Sequence, residues 1–231
     1  MVRNPNSRST SRSAARPARA RRYDARRDGI LRAAAHMFRE RGFADTGMRD
    51  IALASDLSPA NLYHYFKGKD EILFYCQDRA LDRMLAAVAA ARRAAPDADG
   101  RLRSVLAAHV LTMLDEVEGA TAHLQVDGLA APLRVRLVRK RDRYERAVRR
   151  LLADGMATGA FVAGDEALLT RAMLGALNWV VTWYRPDGTR TPGEIADEMA
   201  RYLVRGLQRH GPAEIRSSDG TREHDGRAGW L

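Results

Sequence analysis

Apolar side chains recur about every 3.6 residues through nearly all of the chain's interior, and no stretch alternates long enough to make a convincing strand. That periodicity restricts the fold to an all-α architecture. With 231 residues and 45% hydrophobic content, the chain has ample material for a helical core. The two ends break the pattern. Residues 1–22 are Arg, Ser, Ala and Pro, and are expected to form a disordered basic arm. Residues 211–231 are polar and Gly-rich, and are expected to form a second disordered tail. Between them, helix breakers divide the chain. Ile30, Leu31, Ala34 and Phe38 define one face of a first helix that Gly42 ends, with Phe43 as the apolar contact of a glycine C-cap. Thr46 is placed to N-cap a short helix over 48–55, and Ser58-Pro59 opens another to about Tyr65. After Gly68 a long helix starts with Asp70 and Glu71 and runs towards Pro96. Further helices are expected at about 101–117, 121–129, 132–158, 165–184 and 192–208.

The charge is distributed unevenly. The net charge is +10, of which residues 1–22 carry +7 (seven Arg, no acid), while 23–210 carry +4 and the C-terminal tail −1. A basic arm on a nearly neutral body suits a polyanion, and nucleic acid above all. A single cysteine, Cys76, excludes an intramolecular disulfide framework and a cysteine-based zinc site. His109 and His123 lack metal-ligand spacing, so neither metal nor cofactor is expected. The N-terminus has no apolar signal segment, and Pro5 and Pro17 oppose an amphipathic targeting helix. No stretch is apolar enough to span a membrane, and a cytoplasmic location is expected.

The segments 48–55, 56–58 and 59–65 have the dimensions of a helix-turn-helix. Ile51, Leu57 and Leu62 are placed to bury against the first helix, with Ala52 small at the crossing. Ala60, Asn61, Tyr63 and His64 are then left on the outer face. There an Asn can pair with adenine, and Tyr or His can reach bases and phosphates. Two ordinary short helices in a bundle would share that spacing. The stretch GFADTGMRDIALASDLSPANLYHYFKGKDEIL (42–73) is more specific, and resembles the DNA-binding domain of the TetR family of bacterial repressors. The resemblance is tight over roughly 28–73 and extends beyond that only as helical layout. It implies an N-terminal three-helix DNA-binding domain over 23–68 and a C-terminal helical ligand-binding and dimerisation domain over 69–210.

Carried over residue by residue, the resemblance gives Arg49 as a DNA contact on the second helix. It places Ser58, Ala60, Asn61, Tyr63, His64 and Tyr65 on the recognition helix, and gives Lys69 as a phosphate grip. Two positions depart from the family pattern. Asp56 stands where a turn glycine is usual, and Tyr63-His64-Tyr65-Phe66 replaces the common Tyr-Tyr-His-Phe order; Phe66 is expected in the core. Residues 23–68 carry only +1, so the arm either supplies the missing positive charge along the DNA or is a passive solvated tail.

In the resembled family the remaining residues sense a ligand and form a dimer, the last two helices of each subunit building a four-helix bundle. Ala172, Gly175 and Ala176 make a small-residue patch suited to close approach by a second copy. Trp179 and Trp183 lie four residues apart on one helical face, beside Tyr184. They read either as core or dimer interface, or as the wall of a ligand cavity with Asn178 and Arg185 as its polar groups. Met113 and Met173 are core residues by default and line such a cavity on the sharper reading. Residues 132–150 hold nine basic side chains against Asp142 and Glu145. They form either a solvated face or an electropositive entrance for a phosphate-bearing ligand such as an acyl-CoA thioester. LGALNWVVTWYRPDG (174–188) is similar to acyl-CoA-responsive TetR regulators of fatty-acid or steroid degradation.

The expected function is a ligand-responsive dimeric repressor on a palindromic double-stranded DNA operator, released by a small-molecule effector. Two rivals remain. One is a sequence-non-specific binder driven by its tail. The other is a small helical enzyme, although the chain has no Walker A loop, GxGxxG, GxSxG or HExxH.

Overall fold

The computed structural model describes residues 11–115 and 129–208. Among them every regular element is helical: α1 Ser11–Arg41, α2 Met48–Ala54, α3 Pro59–Tyr63, α4 Lys69–Ala94, α5 Ala98–Met113, α6 Ala131–Ala157, α7 Glu166–Asn178, α8 Val180–Trp183 and α9 Pro192–Arg205. The expected helix at 121–129 falls almost wholly outside the described residues, as do His123, residues 1–10 and the tail 211–231.

Three local outcomes differ from the sequence reading. Helix α1 begins at Ser11, so residues 11–22 are helical rather than part of a disordered arm. Ala and Arg are strong helix formers, and they extend a helix already nucleated by the packed segment behind them, through Pro17, which the sequence reading took to oppose a targeting helix. Thr46 does not cap α2: its buried hydroxyl donates to the Gly42 and Met37 carbonyls, at 2.7 and 3.3 Å. Gly47 is the N-cap instead, its N–H donating to Asp50 Oδ2 at 2.8 Å. The helix expected over 165–184 divides at Trp179 into α7 and α8.

Elsewhere the punctuation acts as read. Gly42 adopts φ +82° and donates to the Phe38 carbonyl at 3.0 Å, and Phe43 packs on Phe38 with ring centroids 5.1 Å apart. Ser58 accepts from the Asn61 N–H at 3.2 Å, with Pro59 at the first position of α3. Asp56 takes the left-handed conformation (φ 53°) of the helix-turn-helix turn, and Arg26 donates to its carbonyl at 3.0 Å.

The hydrophobic core is continuous across residue 68. Ile30, Phe38, Ile51, Leu62 and Phe66 form its N-terminal part, and Leu73, Phe74, Leu102, Leu106, Leu137 and Leu152 carry it onward. α4 belongs to both parts. Near its start Lys69 ties the 43–46 loop, and its middle packs on α5 and α6.

Gly155 is fixed by packing. A Cβ there would lie 2.2 Å from Cδ2 of buried Phe161, where the chain turns back after α6. Gly155→Ala therefore gains helix propensity worth about 1 kcal/mol but forces Phe161 out of place, an overpacking cost of about 1–3 kcal/mol. We expect a net loss of stability and a lower thermal midpoint; a midpoint at or above that of the parent would contradict the contact.

Candidate nucleic-acid interface and sensor cavity

The outer face of α3 is open. Ala60, Asn61, Tyr63 and His64 are exposed, Tyr63 to 55%, while Leu62 on the opposite side is fully buried. Arg49 on α2 is exposed as well. Ser58 is exposed, but its hydroxyl already serves as the cap of α3. Tyr65 is only half available, because its ring stacks on Tyr23 of α1 with centroids 5.0 Å apart. Phe66 is fully buried, as expected.

Lys69 departs from its expected role as a phosphate grip. Its Nζ donates to the carbonyls of Phe43, Ala44 and Thr46 at 2.8, 3.0 and 3.2 Å and lies 4.7 Å from the Phe43 ring centroid. An ammonium has three donors, and all three are engaged at the end of α1. The exposed lysine of the Phe-Lys-x-Lys run is Lys67, which the sequence reading passed over.

A second feature joins this domain to the rest. The Arg27 guanidinium carbon lies 4.2, 4.9 and 6.0 Å from the ring centroids of Tyr75, Phe66 and Tyr23. One turn along α4, Arg79 pairs with Asp28. These contacts clamp α1 to α4 through cation–π attraction and an ion pair.

Beyond the clamp, α4, α5, α6 and α7 line a cavity of about 440 Å³ that opens to solvent. Ala80, Leu81, Met84, Met113 and Leu174 give it an apolar wall. Its polar part centres on His109, buried to 3% exposure. His109 Nδ1 lies 3.0 Å from the Tyr144 hydroxyl and Nε2 lies 3.0 Å from Asn178 Oδ1. A carbonyl oxygen can only accept, so Nε2 carries the proton and Nδ1 accepts from Tyr144. Burial pulls the imidazole pKa down to about 4 and pushes the Tyr144 phenol up, so both stay neutral.

The expected ligand residues divide. Met113 and Asn178 line the cavity, and so does Gly175, which was assigned to the dimer patch. Met173 is core. Trp179 and Trp183 are not a cavity wall: they are 64% and 46% exposed. The inward stripe of α7–α8 is Thr170, Met173, Leu177 and Val180, which turns positions 168, 172, 179 and 183 outward. Tyr184 is half-buried against the core and Arg185 is exposed, both away from the cavity. Within the basic segment Arg141 lines the cavity, Lys140 is held by Asp78 and Asp82 at 2.7 and 2.8 Å, and Arg136 lies over Phe74. Sequence reasoning missed His109, Tyr144 and Arg141 as one site, because they meet only when α5 packs on α6.

A neutral buried His109 makes stability depend on pH. The unfolded chain binds a proton near pH 6.5 and the folded one only near pH 4, so stability falls as pH drops through that window, by about 3 kcal/mol. Denaturant melts from pH 7 to 4 should show this loss in the parent and lack it in His109→Gln; parallel curves would contradict a neutral His109.

With this geometry in place, the comparisons are specific. Residues 30–76 match the profile described as bacterial regulatory proteins, tetR family, and residues 95–207 match that of a tetracyclin repressor-like C-terminal domain. The HTH-type transcriptional repressor KstR2 of Mycobacterium tuberculosis is 26% identical over 195 residues, covering 81% of this chain and 96% of that one. The solved structure of the TetR family transcriptional regulator PfmR from Thermus thermophilus superposes with a TM-score of 0.69 at 36% identity, covering 78% of this chain and 99% of PfmR. AibR, solved in complex with isovaleryl coenzyme A and operator DNA, shares the fold with a TM-score of 0.68 at 24% identity, covering 78% and 98%. The chain belongs to the TetR family of bacterial transcriptional regulators.

Proposed function

We propose that the protein is a dimeric repressor that holds a palindromic operator through α3 and releases it when a small amphipathic molecule, of the acyl-CoA thioester class, fills the cavity between α4 and α7. The observation that carries this reading is the open face of α3, with Asn61, Tyr63 and His64 free of the core that buries Leu62. An α-helix presented in this way fits a major groove, and Asn61 is suited to adenine. Arg49 and Lys67 flank it as phosphate contacts, and the exposed arginines 19, 21 and 22 in α1 extend the positive surface.

Dimerisation is supported by the outward stripe Leu168, Ala172, Trp179 and Trp183. Two large exposed tryptophans beside small residues are suited to burial against a two-fold copy. Such a dimer reads two half-sites one or more helical turns apart. The ligand class is supported by an apolar wall (Ala80, Leu81, Met84, Met113, Leu174) facing polar and charged groups that include Arg141 and Asn178, which suits an amphipathic molecule. AibR, which shares the fold, was solved with isovaleryl coenzyme A and operator DNA, and KstR2 is named a repressor, which supports the repressor reading. Release follows when the ligand binds the non-operator conformation better than the operator-bound one.

The test is a fluorescence-anisotropy titration on the DNA upstream of the protein's own gene. The parent should prefer that duplex to random DNA of equal length, and Asn61→Ala or Tyr63→Ala should weaken binding about tenfold or more. Removing residues 1–22, which spares Tyr23, should flatten the log–log salt slope by several units, at roughly 0.9 per phosphate lost. Equal affinity for random DNA would favour the tail-driven binder instead.

A further inference from the structure

The cavity holds a charge that the fold leaves without a counter-ion. Arg141 enters the wall from α6, and its guanidinium donates to Gln77 Oε1 at 3.0 Å but makes no ion pair among the described residues. The acids nearby do not serve it. Glu145 is engaged by Arg149 and by Arg171, the latter at 3.7 Å, and Asp142 is exposed. Burial pulls the Arg141 guanidinium below its ordinary pKa, which marks the charge as desolvated rather than compensated. A half-buried cation facing only an amide oxygen is costly unless a partner arrives.

A second donor faces the same space. Asn178 uses its Oδ1 to accept from His109, and its amide N–H groups make no hydrogen bond among the described residues. With Oδ1 on His109 Nε2, the Asn178 amide N–H groups are left for another partner. Arg141 and the partly exposed Asn178 present donors to this space, and Ala80, Leu81, Met84, Met113 and Leu174 give its apolar lining. Glu145, already paired with Arg149 and Arg171, and the exposed Asp142 stand at its rim on the α6 side without pairing Arg141. The shape has a scale too. At roughly 30 Å³ per water-sized group, 440 Å³ accommodates on the order of fifteen non-hydrogen atoms. That is enough for an acyl body, and because the site is open to solvent on one side, a nucleotide end would extend outside it.

We infer that Arg141 is the anion anchor of the effector site: the effector is an amphipathic oxyanion whose negative oxygens replace Gln77 as the partner of the guanidinium, with Asn178 donating to a second oxygen and the apolar body lying against Leu81 and Met84. The oxyanion is either the carboxylate of a free acid or the phosphate end of a thioester whose nucleotide stays outside. This inference rests on the proposed ligand-released repressor and names the chemistry that its cavity selects.

The test is operator release by a panel of straight-chain, branched and cyclic carboxylic acids of six to twelve carbons, with their CoA thioesters and methyl esters, on the parent, Arg141→Met and Arg141→Lys. Circular dichroism melts of each variant check folding. Acids or thioesters should release the operator, and neutral methyl esters should not. With operator affinity of each variant measured first without compound, Arg141→Met should raise the concentration needed for release about tenfold or more relative to that baseline, as expected for a lost charge-assisted pair. Arg141→Lys, which keeps the charge but loses the fork, should fall between the two. Release by acids alone places a carboxylate on Arg141, and release by thioesters alone places a phosphate there. Methyl esters as effective as the anions, an Arg141→Met variant that responds like the parent, or an operator complex that no anion of the panel disturbs would each overturn the inference. Failure to form an operator complex at all would instead overturn the wider reading.

Discussion

The structure depends on α4 being shared. Its first turn is fastened to the DNA-binding domain by Lys69, whose ammonium satisfies three carbonyls of the 43–46 loop. Two turns later Tyr75 and Arg79 grip α1 through Arg27 and Asp28. From Gln77 to Met84 the same helix lines the cavity. No loop separates these contacts, so a displacement of α4 at the cavity cannot be absorbed before it reaches the base of α3. A helix packed at interior density transmits a shift rather than dissipating it, and in the proposed dimer such a shift in both copies would change the half-site spacing.

The polar groups of the cavity complete this arrangement. His109 on α5 bonds to Tyr144 on α6 and Asn178 at the end of α7, so one neutral imidazole links three helices around an apolar space. Lys140 reaches back from α6 to Asp78 and Asp82 on α4. The segment rich in basic residues is thus in part a set of ties between α6 and its neighbours, and of its nine basic side chains only Arg141 meets the cavity. Coupling between ligand and DNA needs two arrangements of these contacts and a ligand that prefers one of them.

Much of the fold could be read from local chemistry. Ser58-Pro59, Gly42-Phe43 and the tolerance of Asp56 for a left-handed backbone are decided within a few residues, and each acts as its type dictates. Thr46 could not be resolved in that way, because its hydroxyl had two uses and the nearby carbonyls of α1 won over the N-terminus of α2. Lys69 likewise carries the charge of a phosphate contact, but folding brings three carbonyls to it. The tryptophan pair shows a third limit. Spacing put Trp179 and Trp183 on one face, while which face pointed inward was set by Thr170, Met173, Leu177 and Val180 together. The cavity's polar centre was illegible for a simpler reason: residues 109, 144 and 178 are neighbours only in three dimensions.

The central claim is that the cavity and the recognition helix move as one body through α4. Pulsed electron paramagnetic resonance between spin labels at Glu40→Cys, exposed at the end of α1 and outside the proposed DNA contacts, on the two subunits of the proposed dimer tests it most directly, with Cys76 fully buried and shielded from the label. The account predicts a narrow distance distribution on the operator that shifts when a compound able to release the DNA is bound. A distribution that stays unchanged while that compound releases the DNA would contradict it.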